Sequence, residues 1–292
     1  MRLTDVRLEA IRAADMSESN ELSLTDAVID RFRTTPDPRL QEVMISAVRH
    51  LHDFVRDVRP TFDEWMAAIR FLTRVGQISD ETRQEFILLS DVFGVSMLVD
   101  AINHPRSEDV TDTTVLGPFY SEHPPEQPQD TDISGGAVGE PLYVDVEIRS
   151  ADGKLLPNAL VDVWQSDSEG FYDVQRPELA GPRLRARFHS DQNAHVRFRS
   201  IMPTAYPIPH DGPVGELLEL TGRHPWRPAH LHFLVAAPRY ETLVTHLFVR
   251  GDKYLESDAV FGVKNSLVHS FADACDIKGA RCLRYTFKLK AA

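Results

Sequence analysis

Apolar side chains recur at intervals of three and four through the first hundred residues and alternate with polar ones beyond residue 140. This change of period divides the chain into a helical part and a strand part. Between Asp37 and Val58, Leu40, Val43, Met44, Ala47, Val48, Leu51, Phe54, Val55 and Val58 form the stripe of an amphipathic helix. Asp37 is placed to cap it, Pro38 suits its first position, and Pro60 follows its end. A second helix is expected from a capping box of Thr61 and Glu64, through Phe62, Trp65, Met66, Ile69 and Leu72, to a stop near Gly76. A third is expected from Ser79 to about Asn103. Between Phe86 and Ile102 its apolar side chains occur almost all the way round, which calls for cover on several sides, by its own domain and by a partner chain as well.

Residues 104 to 141 change character, with Pro105, Pro118, Pro124, Pro125, Pro128, Pro141 and the pair Gly135-Gly136. This is loop chemistry and marks a boundary between a helical domain, 1–108, and a second domain, 109–292. In the second, Val144, Val146 and Ile148 alternate with Asp145 and Glu147. Leu160 to Trp164, Arg185 to His189, His195 to Phe198, Ala229 to Val235, Leu243 to Val249 and Cys282 to Leu289 read as further short strands. Seven strands without an interleaved long helix predict an antiparallel β-sandwich or barrel, so the fold class is α+β.

Composition narrows the function classes. The 292 residues carry a formal net charge of −12 at pH 7, which argues against nucleic acid or an anionic membrane surface as partner and favours a small molecule. Only Cys275 and Cys282 are present, at a spacing unsuited to zinc, and the expectation is of buried, inert thiols in a reducing compartment. With neither a signal-peptide pattern nor eighteen consecutive apolar residues, the expected location is cytoplasmic.

Chemistry concentrates in Arg227-Pro-Ala-His-Leu-His-Phe233. Alternate side chains of a strand share a face, so His230 and His232 point one way while Leu231 and Phe233 point the other. That is a two-pronged imidazole clamp suited to iron, copper, nickel or zinc, and equally the polar face of a half-buried strand. Tyr172 and Tyr206 stand at strand exits. Each alone is an ordinary core or rim phenol, but a bound cation can hold a phenolate at neutral pH, and two phenolates favour iron(III).

Leu116-Gly-Pro-Phe-Tyr120, Asp162-Val-Trp164 with Gly170-Phe-Tyr172, Arg223-His-Pro-Trp-Arg-Pro-Ala-His-Leu-His-Phe233 and Gly251-Asp-Lys-Tyr254 resemble the intradiol ring-cleaving dioxygenases over essentially the whole chain. Leu88-Leu-Ser-Asp91 with Val92-Phe-Gly-Val-Ser-Met-Leu98, His195-Val-Arg-Phe-Arg-Ser200 and Tyr206-Pro-Ile-Pro-His-Asp-Gly-Pro213 are most similar to the branch that acts on hydroxyquinol, benzene-1,2,4-triol. The resemblance implies a non-haem iron(III) held by Tyr172, Tyr206, His230 and His232, with Arg227 beside the substrate. It implies O2-dependent cleavage between the two adjacent hydroxylated carbons in aromatic catabolism, giving 3-hydroxy-cis,cis-muconate or its tautomer maleylacetate. Catechol or chlorocatechol is the alternative substrate.

By the same resemblance Tyr206 is the ligand that leaves on substrate binding and serves as a base, while Tyr172 stays. Leu88, Asp91, Val115, Gly117, Pro118, Phe119, Ile208, Pro209 and Val260 are expected around the ring. Leu88, Asp91, Val95, Leu98 and Ile102 are expected on one stripe of the third helix, with Asp91 either the partner of a third ring hydroxyl or held by an internal salt bridge or a backbone amide. Glutamine is commoner in the family at His246. His210 and His224 are expected to be structural. The apolar N-terminal helices imply a homodimer, and by resemblance a lipid at its interface. A zinc hydrolase built on the His pair and a non-enzymatic β-sandwich binding module are the rivals from other classes.

Overall fold

A computed structural model describes residues 20–81, 83–105, 109–271 and 279–292. The chain falls into two compact units, residues up to 72 and residues from 73 onward. The first holds a helix over 20–32 (α1), α2 (Pro38–Val58) and the start of α3 (Phe62–Ile78). Thr25 ties α1 to α2, its hydroxyl 2.9 Å from His52 Nδ1 and accepting from Arg56 at 2.8 Å. The expected caps are present. Asp37 accepts from the Leu40 amide at 2.9 Å, and Thr61 and Glu64 exchange backbone-to-side-chain bonds of 2.7 and 3.2 Å. Leu51, Phe54, Val55 and Val58 are nevertheless exposed.

The expected single helix from Ser79 to Asn103 is two helices, α4 (Glu85–Val92) and α5 (Val95–Asn103). Gly94 between them takes φ +71°, a left-handed conformation that favours glycine and turns the chain out of the first helix axis. The proposed stripe is split by that turn. Leu88 and Asp91 are buried, whereas Val95, Leu98 and Ile102 are exposed.

Among the described residues, 109–140 contain turns, bends and isolated bridges but no helix. Two sheets follow. One has the order β10 (Arg281–Leu289), β1 (Pro141–Ser150), β4 (His195–Ile201). The other runs β3 (Arg185–His189), β2 (Leu160–Trp164), β7 (His230–Ala236), β8 (Leu243–Val249), β9 (Val268–His269). β5 (Tyr206–Pro207) and β6 (Trp226–Arg227) make a separate ribbon, and α6 (Pro213–Leu220) lies between them in sequence.

Val144, Val146 and Ile148 of β1, Phe198 of β4 and Phe287 of β10 join Val161, Val163, Leu231, Phe233 and Leu247 of the facing sheet in one buried core. The sandwich is not purely antiparallel as expected. β1 pairs with β10, and β8 with β9, in parallel. Parallel neighbours need crossover connections rather than tight hairpins, and local turn signals do not reveal them.

Cys282, expected as an inert thiol, is disulfide-bonded; Cys275 lies outside the described residues. Spacing that is wrong for zinc does not by itself settle a cysteine's redox state. No helix among the described residues is long and apolar enough to cross a membrane.

Candidate metal centre and ring cleft

The strand alternation in β7 does what its pattern dictates. Leu231 and Phe233 enter the sandwich core, and His230 and His232 face away from it, each 1% exposed. Their Nε2 atoms lie 3.1 Å apart. His230 Nδ1 lies 2.7 Å from the Pro228 carbonyl, so Nδ1 carries the proton that it donates there and the Nε2 lone pair is left facing His232. An imidazole held this way by a backbone carbonyl is oriented as metal-ligating histidines are. Trp164, opposite His232 in the β2–β7 register, stacks on its ring at 4.7 Å.

The two phenols arrive by separate routes. Tyr172 closes the loop after β2, and its hydroxyl is 2.8 Å from His232 Nε2. Tyr206 belongs to β5, directly opposite Arg227 of β6, and accepts from Arg227 Nη1 at 3.4 Å. Gly170, at φ +88°, lets the two loops meet, since a Cβ there would stand 3.0 Å from the Cβ of Tyr206. The tyrosine rings cross edge to face at 5.2 Å.

Electrostatics distinguish this cluster from a core polar network. Burial, then the adjacent Tyr206, pushes the Tyr172 phenol well above its ordinary value. Burial first, and then Arg227 for His230 and the crowding of neighbouring imidazoles for His232 and His246, hold these rings well below theirs. The result is neutral imidazoles with lone pairs directed at one another and at a phenol. A cation at their convergence would reverse the phenol's preference and give the lone pairs a common partner. Metal–nitrogen bonds of ~2.0–2.1 Å place adjacent donors ~3 Å apart, as His230 and His232 are. The donor set of two phenols and two neutral imidazoles therefore fits a metal ion.

Arg227 is 2% exposed, and burial opposes its charge. The carboxylate of Asp258, accepting from Nε at 3.1 Å and Nη2 at 3.3 Å, together with Tyr206 and Tyr172 outweighs that penalty. Asp258 in turn accepts from the amides of Val260 and Gly262 at 3.3 and 3.0 Å. Sequence reading missed Asp258, although a buried guanidinium implies a buried carboxylate somewhere. His246 proves to lie opposite His232 in the β7–β8 register. Its ring stacks on His230 at 4.7 Å, and the ligating atoms of His230, His232 and His246 lie within 4.8 Å of one another. Its Nδ1, however, faces Thr114 Oγ1 at 3.3 Å and Arg227 Nη2 at 3.5 Å. His210 and His224 bond to Ile208 O and Ser257 Oγ, outside the cluster.

Phe119 stacks on Tyr172 at 4.4 Å and also walls a cleft of about 200 Å³. Leu88, Asp91, Pro118 and Pro209 line the same cleft. The other four residues expected around a ring do not line it. Gly117, at φ +79°, leaves room for His232, since a Cβ there would approach His232 Cε1 to 3.3 Å. Val115 offers its backbone to His246, Val260 is fixed to Asp258, and Ile208 is buried beside Pro209. Burial, and then Asp258, raises the Asp91 carboxyl above its usual range, against the opposing pull of Ser96 and Arg227.

Residues 115–291 match the family described as Dioxygenase, and residues 37–111 the family described as Catechol dioxygenase N terminus. The chain is 51% identical over 261 residues to 6-chlorohydroxyquinol 1,2-dioxygenase of Cupriavidus pinatubonensis, covering 89% of this chain and 95% of the relative. It is 50% identical over 256 residues to hydroxyquinol 1,2-dioxygenase of Rhodococcus opacus, covering 87% and 84%. A solved structure of hydroxyquinol 1,2-dioxygenase from Pseudomonas putida DLL-E4 superposes with a TM-score of 0.89 at 45% identity, covering 94% of this chain and all of the other.

Proposed function

The chain belongs to the intradiol ring-cleavage dioxygenases, and from that premise we propose that it cleaves hydroxyquinol with O2 between the two adjacent hydroxylated carbons. The product is 3-hydroxy-cis,cis-muconate, which tautomerises to maleylacetate. The reading is carried by one observation: a buried carboxylate, Asp91, stands in a ring-sized cleft that shares Phe119 with the phenol and imidazole cluster. About 150 Å³ suffices for benzene, so the cleft has room for one substituted ring.

The family's metal is non-haem iron, and we assign it here as iron(III) held by Tyr172, Tyr206, His230 and His232. When bound, it would draw electron density from the deprotonated diol and so lower the barrier to reaction with triplet O2. Tyr206 would give way to the substrate, and its Oη would take the proton of a ring hydroxyl. Tyr172, buried and stacked on Phe119, stays. Arg227, fixed by Asp258, presents Nη1 toward the reacting ring and stabilises negative charge there through a preorganised donor. Asp91 accepts the third hydroxyl. Leu88, Phe119, Pro118 and Pro209 exclude water.

Steady-state turnover of hydroxyquinol beside catechol, with identification of the acyclic product and measurement of bound iron, tests this reading. Wine-red protein that prefers hydroxyquinol is expected. A colourless zinc protein would support a hydrolase, and metal-free protein without turnover a binding module.

The exposed apolar residues of α2 support a homodimer formed through the helical domain, 1–108, with lipid at its interface; sedimentation and lipid extraction test both. A cytoplasmic location rests on the sequence pattern. The disulfide at Cys282 pulls against a reducing compartment, and thiol trapping at lysis decides between them.

A further inference from the structure

The cleft has a buried end at Leu88, Asp91 and Phe119 and an exposed end at Gln84 and Ile87. Arg83 lines the exposed end. Its guanidinium donates to both oxygens of Asp211, each at 2.9 Å, and through Nε to Glu85 at 3.1 Å. Glu85 is buried, and its other oxygen accepts from the Val214 amide at 3.1 Å. These contacts tie the start of α4, one wall of the cleft, to residues 211–214, which follow Pro209 of the opposite wall. Gly212 completes the closure, since a Cβ there would come within 2.7 Å of both Arg83 Nη2 and Glu85 Oε1.

The two halves of this clamp differ in strength. Glu85 is held by a backbone amide out of solvent, where its attraction to Arg83 is little screened. The Asp211 side chain is 73% exposed, so its pair is screened and breakable, while the planar fork fixes its geometry. A firm inner post with a weaker outer link sets a defined but adjustable opening. We propose that the Arg83–Glu85–Asp211 clamp fixes the spacing of α4 and the Pro209 wall and thereby limits the size of ring substituent that the cleft admits. This rests on the function proposed above.

Asp211→Asn breaks the outer link from a position that does not line the cleft. The ratio of kcat/KM for hydroxyquinols bearing a halogen or alkyl substituent to that for hydroxyquinol itself should shift toward the larger ring by about tenfold, comparable to one methylene in a pocket. Arg83→Gln, which breaks both links, should shift it at least as far, the double variant should add nothing to Arg83→Gln, and Asp211→Glu should keep the wild-type ratio. Amides of residues 209–214 should exchange hydrogen faster in Asp211→Asn than in the wild type. An unchanged ratio in Asp211→Asn, a shift of equal size in Asp211→Glu, or unchanged amide exchange would overturn the clamp while leaving the function standing. Wild-type protein that turned over none of these rings would overturn both.

Discussion

Replacing Asp91 by alanine separates reading of the third ring hydroxyl from every other property of the site. Glu85, the other carboxylate lining the cleft, is engaged by Arg83 and Val214, which leaves Asp91 to meet the ring. Asp91 is 7% exposed, and its charge is opposed by burial and eased by Ser96 and Arg227. A hydrogen bond to a charged acceptor contributes about 1.5–3 kcal/mol, so kcat/KM for hydroxyquinol should fall about 10- to 150-fold. Catechol has no third hydroxyl to offer, so in the wild type the buried carboxylate keeps only its bond to Ser96. Its kcat/KM should hold or rise, and the preference should narrow by at least that factor. Oxygen uptake with each ring measures the ratio, and bound iron and visible absorption report whether the centre is intact. A wild-type substrate ratio in Asp91→Ala with the centre intact would refute the assignment.

Tyr172→Phe should lose iron or most of the visible band, whereas Tyr206→Phe should keep some iron and lose turnover; equal iron and full activity in both would sink the ligand assignment. Arg227→Leu should lower kcat by about 2.7–4 kcal/mol, as loss of an oxyanion-hole donor does, with a smaller change in KM. A raised KM with normal kcat would make Arg227 a substrate holder only. Asp91→Asn should unfold at a higher temperature than wild type at neutral pH. A carboxyl raised in the folded state contributes stability below its unfolded value of about 3.9 that is lost as pH rises through the folded value, so the gain should vanish in acid. A gain that persisted or grew toward low pH, followed by thermal melts, would contradict the direction of that shift.

The sequence carried those features that local physics determines. The period-two pattern at Val144, Val146 and Ile148 predicted β1, and the face shared by His230 and His232 followed from alternation alone. Asp37 and the Thr61–Glu64 pair predicted their helix starts. The break at Gly94 was not legible, because a glycine inside an apolar helical pattern is often tolerated and its left-handed conformation is chosen by tertiary contacts. The meeting of His246 with His232 depends on strand register, and that of Asp258 with Arg227 on a loop 31 residues away in sequence. Neither leaves a fixed spacing. The meeting of Tyr172 with Tyr206 was legible only through family resemblance, since a phenol at a strand exit has no periodicity of its own.

The parallel pairing of β1 with β10 has a temporal consequence. Leu142 lies beside Arg281, so the first ladder of the sandwich brings together residues 139 apart in the chain, and Tyr172, Tyr206, His230 and His232 all lie within the loop that it closes. Closing so long a loop is entropically unfavourable until many contacts form together, and folds of such non-local pairing form slowly. On a ribosome the nascent chain must expose Tyr172, Tyr206, His230 and His232 before it has the strand that completes the three-stranded sheet. The three-stranded sheet, and with it the core that Leu283 and Phe287 complete behind β7, is therefore closed only after synthesis of β10.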